Sequence, residues 1–187
     1  MEESDYRLVP GRSCGECHAC CQFLVVTFPD WKKPANVLCK NWVGGCTIYN
    51  ERPNICRGFF CGWRFFPNLG DEWRPDRSKI LLQGGVGPDG KPSMVVNLLD
   101  TLSPQTTKML LNLFIALHEQ QYETYLSIPP PPGHEAGRLR ISDEMRPAIE
   151  QRDLARALQV LNAAISFCIS KIQESVAKSK SEAGTPL

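Results

Sequence analysis

CGECHACC, running from Cys14 to Cys21, places four cysteines in eight residues with two-residue gaps and then an adjacent pair. How this stretch is read decides the fold around it: a disulfide knot, a metal site or a redox catalyst. Four more cysteines follow at short spacing, Cys39, Cys46, Cys56 and Cys61, while Cys168 stands alone far down the chain. A two-residue gap lets a tight turn aim two thiolates at one ion, which is why it recurs in zinc knuckles and iron–sulfur loops. Two such gaps in tandem, with four further cysteines, predict a metal centre. The expected ligands are Cys14, Cys17, Cys20, Cys21, Cys39, Cys46, Cys56 and Cys61.

Zinc takes four ligands, so eight thiolates make two tetrahedral sites or one shared-thiolate cluster. The run Cys14-x2-Cys17-x2-Cys20 also has the gaps with which bacterial ferredoxins hold three irons of a cubane cluster. That pattern continues with three residues and a Cys-Pro, whereas here Cys21 follows at once. Spacing leaves zinc and iron, including an iron–sulfur centre, both open.

The 187 residues suit one domain, or a small domain with a helical extension. A net charge of +1 gives no generic attraction for nucleic acid or for an acidic membrane surface. The opening MEESDYRLVP lacks the basic start and apolar run of a secretory signal, and no stretch approaches the roughly 18 apolar residues of a membrane span. A cytoplasmic protein is expected, and in a reducing cytosol such cysteine density favours ligation over disulfides.

Charge sharpens the expectation. Residues 1–79 carry eleven Lys or Arg and nine Asp or Glu, a balance of +2 that eight thiolates take to −6 before any metal binds. Arg52, Arg57 and Arg64 lie among the last cysteines, where guanidinium groups are candidates to donate to thiolate or sulfide. His18 is a further candidate ligand, because imidazole suits zinc and iron, although the thiolates suffice without it. Pro53 is expected to shape the approach to Cys56, and Tyr49 to orient a ligand or to pack.

Outward from the cysteines the chain changes character. QFLVVTF reads as a strand, and SKILLQGGVGPDGKPSMVVNLLD as two strands around a turn at Pro88, Asp89 and Gly90. SPQTTKMLLNLFIALHEQQYETYL reads as a helix with Ser103 as N-cap, Pro104 at its first position and Leu110, Phe114 and Leu117 on its apolar face. IPPPPGHEAG is a connector, since consecutive prolines remove backbone donors. Beyond Ser142 a second helix is expected to about Val176, with Leu154, Leu158, Leu161, Ile165, Cys168 and Ile172 as a stripe that packs internally or seams a dimer. Cys168 on that stripe reads as a small buried apolar residue. The tail is expected to fray.

These readings define an α+β protein: a cysteine-cluster domain with irregular loops and a short β-hairpin over 1–100, a helical region over 101–178 and a tail over 179–187. CGECHACC, then Cys39, then CTIYNERPNICRGFFCGW resemble the CxxCxxCC cysteine-cluster family of zinc- or iron-chelating domains, the YkgJ-like proteins. The specific part of the likeness is the N-terminal signature together with Tyr49, Arg52, Pro53, Cys56 and Arg57, and it covers roughly the first 65 residues. Cys61 looks like an extra ligand of some members. The resemblance implies a metal-binding domain without supplying a substrate.

Three functions compete. The first is a metal or iron–sulfur protein serving redox chemistry, sensing or an accessory step. The second is a structural zinc module whose helices bind a protein partner or a second copy of the chain. The third, a catalyst with an open metal position, finds no support in a GxSxG, P-loop or dinucleotide motif. No nucleic-acid or membrane partner is expected.

Overall fold

Cysteine, glycine and proline at short intervals keep the N-terminal segment from propagating any helix beyond about a turn. In the computed structural model of the chain, which describes residues 8–29 and 31–183, this segment contains α1 (Ala19–Phe23), α2 (Asn54–Arg57), α3 (Gly62–Phe65) and α4 (Pro75–Ser78). Between the first two lies a small antiparallel ribbon, β1 (Val26–Phe28) with β2 (Trp31–Lys33). Only the end of the QFLVVTF run is therefore extended, because Gln22 and Phe23 close α1.

The second half is built on a four-stranded mixed sheet in the order β3-β4-β5-β6. The hairpin forms as read: β3 (Ile80–Val86) pairs antiparallel with β4 (Pro92–Leu98). Next comes α5 (Pro104–Glu119), whose first turn is capped by the Ser103 side chain accepting from the Thr106 N–H at 3.1 Å. Its Leu110, Phe114 and Leu117 are buried.

The helix expected to reach Leu126 stops at Glu119. Gln121 turns left-handed at φ 59°, and β5 (Glu123–Ile128) then lies parallel to β4. Thr124, Tyr125 and Ile128 favour a strand, and the open edge of β4 supplies backbone partners that a local apolar period does not reveal. After the proline connector β6 (Gly137–Arg140) adds antiparallel to β5.

The single helix expected from Ser142 is two, α6 (Ser142–Glu150) and α7 (Leu154–Ala183). Arg152 is left-handed at φ 54°, and the Asp153 carboxylate accepts from the Arg156 N–H at 2.9 Å, ending one helix and starting the next. The buried face of α7 is Ala157, Leu161, Ala164 and Cys168, while Leu154 and Leu158 of the expected stripe are exposed. α7 continues past Val176 to Ala183, and residues 184–187 of the expected fraying tail lie outside the described residues. It approaches the sheet closely at Gly137, where a Cβ would stand 1.9 Å from the Cys168 carbonyl oxygen.

One core joins these elements, from Trp63, Leu69 and Trp73 through Ile80, Met94 and Phe114 to Cys168. The protein is thus mixed helix and strand, and among the described residues no helix is long and apolar enough to cross a membrane.

Candidate metal centre

From residue 8 to residue 62 the buried apolar side chains are Ala19 and Ala35 alone. Two alanines cannot hold more than fifty residues by apolar burial, so other forces must fix this segment. Long cationic side chains bonded to backbone carbonyls supply part of the answer. Arg12 donates to the carbonyls of Trp63 and Leu69, and to that of Phe66 at 2.9 Å, tying the segment before Cys14 to α3 and the turn after it. The Lys33 ammonium donates to the carbonyls of Gln22 at 2.9 Å, Pro34 at 2.9 Å and Val37 at 3.0 Å, gathering three turns of the ligand loops. Asn36 reaches the Pro130 carbonyl at 2.7 Å, linking this loop to the proline connector.

The segment is seated on the sheet through α3. Gly62 packs so near β3 that a Cβ there would meet the Leu82 Cβ at 2.7 Å, and Trp63 enters the core. Cys61 stands at the N-cap position of this helix, its carbonyl accepting from the Arg64 N–H at 2.9 Å. On β3, alternation sends Ile80 and Leu82 into the core and leaves Leu81 and Gln83 on the wall of an adjoining cavity.

All eight N-terminal cysteines line that one cavity of about 300 Å³, and all are free thiols. Electrostatically they sort into two fours. Cys14 and Cys17 act on Cys61, and Cys21, Cys14 and Cys61 act on Cys20. Cys56 is felt by Cys21, Cys39 and Cys46. Backbone bonds follow the same division: the Cys17 N–H donates to the Cys14 carbonyl at 2.9 Å, the Cys39 N–H to that of Cys21 at 3.0 Å, and Cys46 bridges Trp42 beside Cys39. The groups meet at the adjacent pair Cys20 and Cys21. There the coupling of the adjacent thiols, with burial adding to it, raises Cys20, while it holds Cys21 down to about 7, Lys33 and Arg52 acting on Cys21 in the same direction. Burial pushes the Cys17 and Cys56 thiols up, and Cys61 up to about 11.

Among the described residues four buried side-chain polar atoms lack a hydrogen-bond partner: Trp42 Nε1, Trp63 Nε1, Arg64 Nε and Glu123 Oε1. The three N–H donors all belong to residues of the thiol cavity wall. Glu123 lies elsewhere, with Arg140 Nη2 2.9 Å from that oxygen. A buried donor without an acceptor is costly, and a thiolate sulfur in the cavity would be an acceptor for any of the three that reaches it. In chemistry the lining fits a thiolate-bound metal or iron–sulfur centre, since eight soft donors stand on one cavity wall. As the chain stands, no group of three or more His, Cys, Asp or Glu among the described residues is gathered closely enough to hold an ion.

Arg64 meets its expectation as a donor, with Nη1 3.6 Å from Cys14 Sγ. Arg52 lines the cavity, stacks over the Tyr49 ring at 3.8 Å and donates Nε to the Tyr49 carbonyl at 2.8 Å. Tyr49 thus packs as the platform for Arg52. Pro53 precedes α2, and its carbonyl accepts from the Cys56 N–H at 2.9 Å. Arg57 is a correction: it is exposed and bonds to Asn54, away from the cavity. His18 also lies off the cavity wall, its ring 4.9 Å from that of Trp42. Lys33, Trp42 and Trp63 were not singled out by sequence, because their meeting with the thiols depends on contacts between distant segments. No family model, curated protein or solved structure matches the chain.

Proposed function

We propose that the chain is a metal-binding protein of the CxxCxxCC cysteine-cluster kind, holding zinc or an iron–sulfur centre through two four-thiolate sets. One set is Cys14, Cys17, Cys20 and Cys61; the other is Cys21, Cys39, Cys46 and Cys56. The observation that carries this reading is the convergence of all eight sulfurs on one cavity in a segment that lacks an apolar core. In such a segment ligation takes the place of burial, and the free energy of binding becomes free energy of folding.

An iron–sulfur centre held there supplies one-electron chemistry for a redox, sensing or accessory role, whereas zinc supplies a fixed structural ion. The chain's own part is to bring soft ligands together, to aim the N–H groups of Trp42, Trp63 and Arg64 at the sulfurs, and to leave the hard ligands outside. The structural-zinc reading, with α7 as the partner-binding element, draws support from the exposed Leu154, Leu158, Phe167 and Ile169 on that helix.

Anaerobic purification followed by elemental analysis and an absorption spectrum tests both readings. Iron or zinc at one or more atoms per chain is expected, with visible absorption marking iron–sulfur and its absence with bound zinc marking the structural module. In parallel, Cys61→Ser should empty the first set and Cys56→Ser the second, since a hydroxyl that stays protonated at neutral pH replaces a soft thiolate. Metal-free chain with the eight cysteines paired as disulfides would overturn the proposal.

A further inference from the structure

Among the described residues only two cations are buried, Lys33 at 7% exposure and Arg64 at 8%. Both line the thiol cavity. Neither has a carboxylate within ion-pair distance, for the ion pairs of the described residues involve other side chains throughout. Taking a cation out of water without an anion is strongly unfavourable, so each of these charges calls for a negative partner.

The two cations are divided between the two thiol sets. Arg64 Nη1 lies 3.6 Å from Cys14 Sγ, and its Nε is one of the orphaned donors. Lys33 has spent all three donors on carbonyls, so its hydrogen bonding is satisfied and its charge is not. Two of those carbonyls belong to Gln22, next to Cys21, and to Val37, two residues before Cys39, and the thiols acting on that charge are Cys39, Cys21, Cys20 and Cys56, three of them in the second set. Lys32 and Lys40, by contrast, are exposed to solvent, and Arg57 is bonded to Asn54.

We propose that Lys33 and Arg64 are the dedicated counter-charges of the two sites, Arg64 for the Cys14 set and Lys33 for the Cys21 set, so that each site binds its metal with a full complement of thiolates and a net negative charge. This rests on the metal-binding reading above and adds to it which residues set the charge of each centre. Both are positioning residues, acting on the metal through the sulfurs. His18, off the cavity wall, has no place in either set.

The test uses the full chain, reduced and metal-free, titrated with cobalt(II), whose thiolate charge-transfer absorption reports ligation. Cys61→Ser protein leaves the Cys21 set to report, and Cys56→Ser protein leaves the Cys14 set. Lys33→Met should weaken cobalt binding about 10- to 100-fold in the first background and little in the second, and Arg64→Met should do the reverse. Lys33→Arg and Arg64→Lys should recover most of the loss.

Lys33 also ties loops together, and a double-mutant cycle separates that duty from its charge. Cys39→His replaces a thiolate by neutral imidazole and leaves a three-thiolate site with less negative charge to offset. Its cost should be several-fold smaller with Met at position 33 than with Lys. Additive losses, or equal loss in both sets, would show that Lys33 is a tether and overturn the counter-charge. A wild-type chain that takes up no cobalt, zinc or iron would instead sink the metal-binding reading itself, and this proposal with it.

Discussion

The sheet and its helices bury Ile80, Met94, Leu110, Phe114, Leu126 and Leu161 completely or nearly so, whereas the stretch from residue 8 to residue 62 buries two alanines. The first region has its stability in apolar area removed from water. The second relies on directional chemistry: Arg12 and Lys33 bonded to carbonyls, and eight sulfurs around a cavity. The difference teaches that two parts of one chain can have separate sources of order, and that removing one source need not remove the other.

The strongest way to break that comparison is to withhold metal. Chelation should abolish amide-exchange protection across residues 8–62 while helical circular dichroism from α5, α6 and α7 survives. If the helical signal collapses together with the metal, the two regions share one source of order.

Next in size is the contact between β6 and α7. Gly137→Ala would drive a methyl into the Cys168 carbonyl, and backbone on both sides has little room to yield. A loss of about 3 kcal/mol in denaturant unfolding is expected, with metal content per folded chain unchanged. Metal loss in that variant would mean that the sheet side transmits strain to the thiols.

Gly62→Ala probes the seam between the regions. The added methyl meets the Leu82 Cβ, held by the β3 backbone, as well as the Leu82 Cδ1 and the Phe66 ring, which can turn aside, so a loss of about 2 kcal/mol is expected. Because Cys61 and Arg64 flank this position, cobalt affinity of the Cys14 set should fall while that of the Cys21 set holds. Equal effects on both would show that the two sets do not act separately.

Cys168→Ala should be the mildest, about 1 kcal/mol with metal content intact. Burial pushes its thiol up to about 11 from an ordinary 9.0. A folded value above the unfolded one stabilises fully below pH 9 and is lost as pH rises through 11, since the unfolded chain gives up its proton first. The wild type should therefore lose its advantage over the alanine variant between pH 9 and 11. A gap that stays constant over that range would show that the Cys168 environment does not resist ionisation.

Legibility in the sequence followed the same divide. Ser103, Pro104 and the period through Leu117 gave α5, and Pro88 to Gly90 gave the hairpin, because caps and turns are local signals. Tyr122 to Ile128 read as more helix because its strand partner, Val95 and its neighbours on β4, lies some thirty residues away. On α7 the expected stripe holds at Leu161 and Cys168 and fails at Leu154 and Leu158, with small Ala157 and Ala164 inside instead, since close packing on β6 selects size as well as hydropathy. For the candidate site, spacing named the eight sulfurs, and spacing could not divide them. Cys61 joins Cys14 across 47 residues, and Lys33 meets carbonyls and thiols from several loops. Such groupings exist only after folding.

Cys20 and Cys21 are consecutive residues, yet the proposed sets divide them. Their Cα atoms are held about 3.8 Å apart by one trans peptide unit. That makes the peptide group a ruler: heating, partner docking or loop rearrangement can tilt one set against the other, but cannot draw them apart while both cysteines remain bound. If each set holds a metal as proposed, the shortest covalent path between the two centres runs through this one peptide unit.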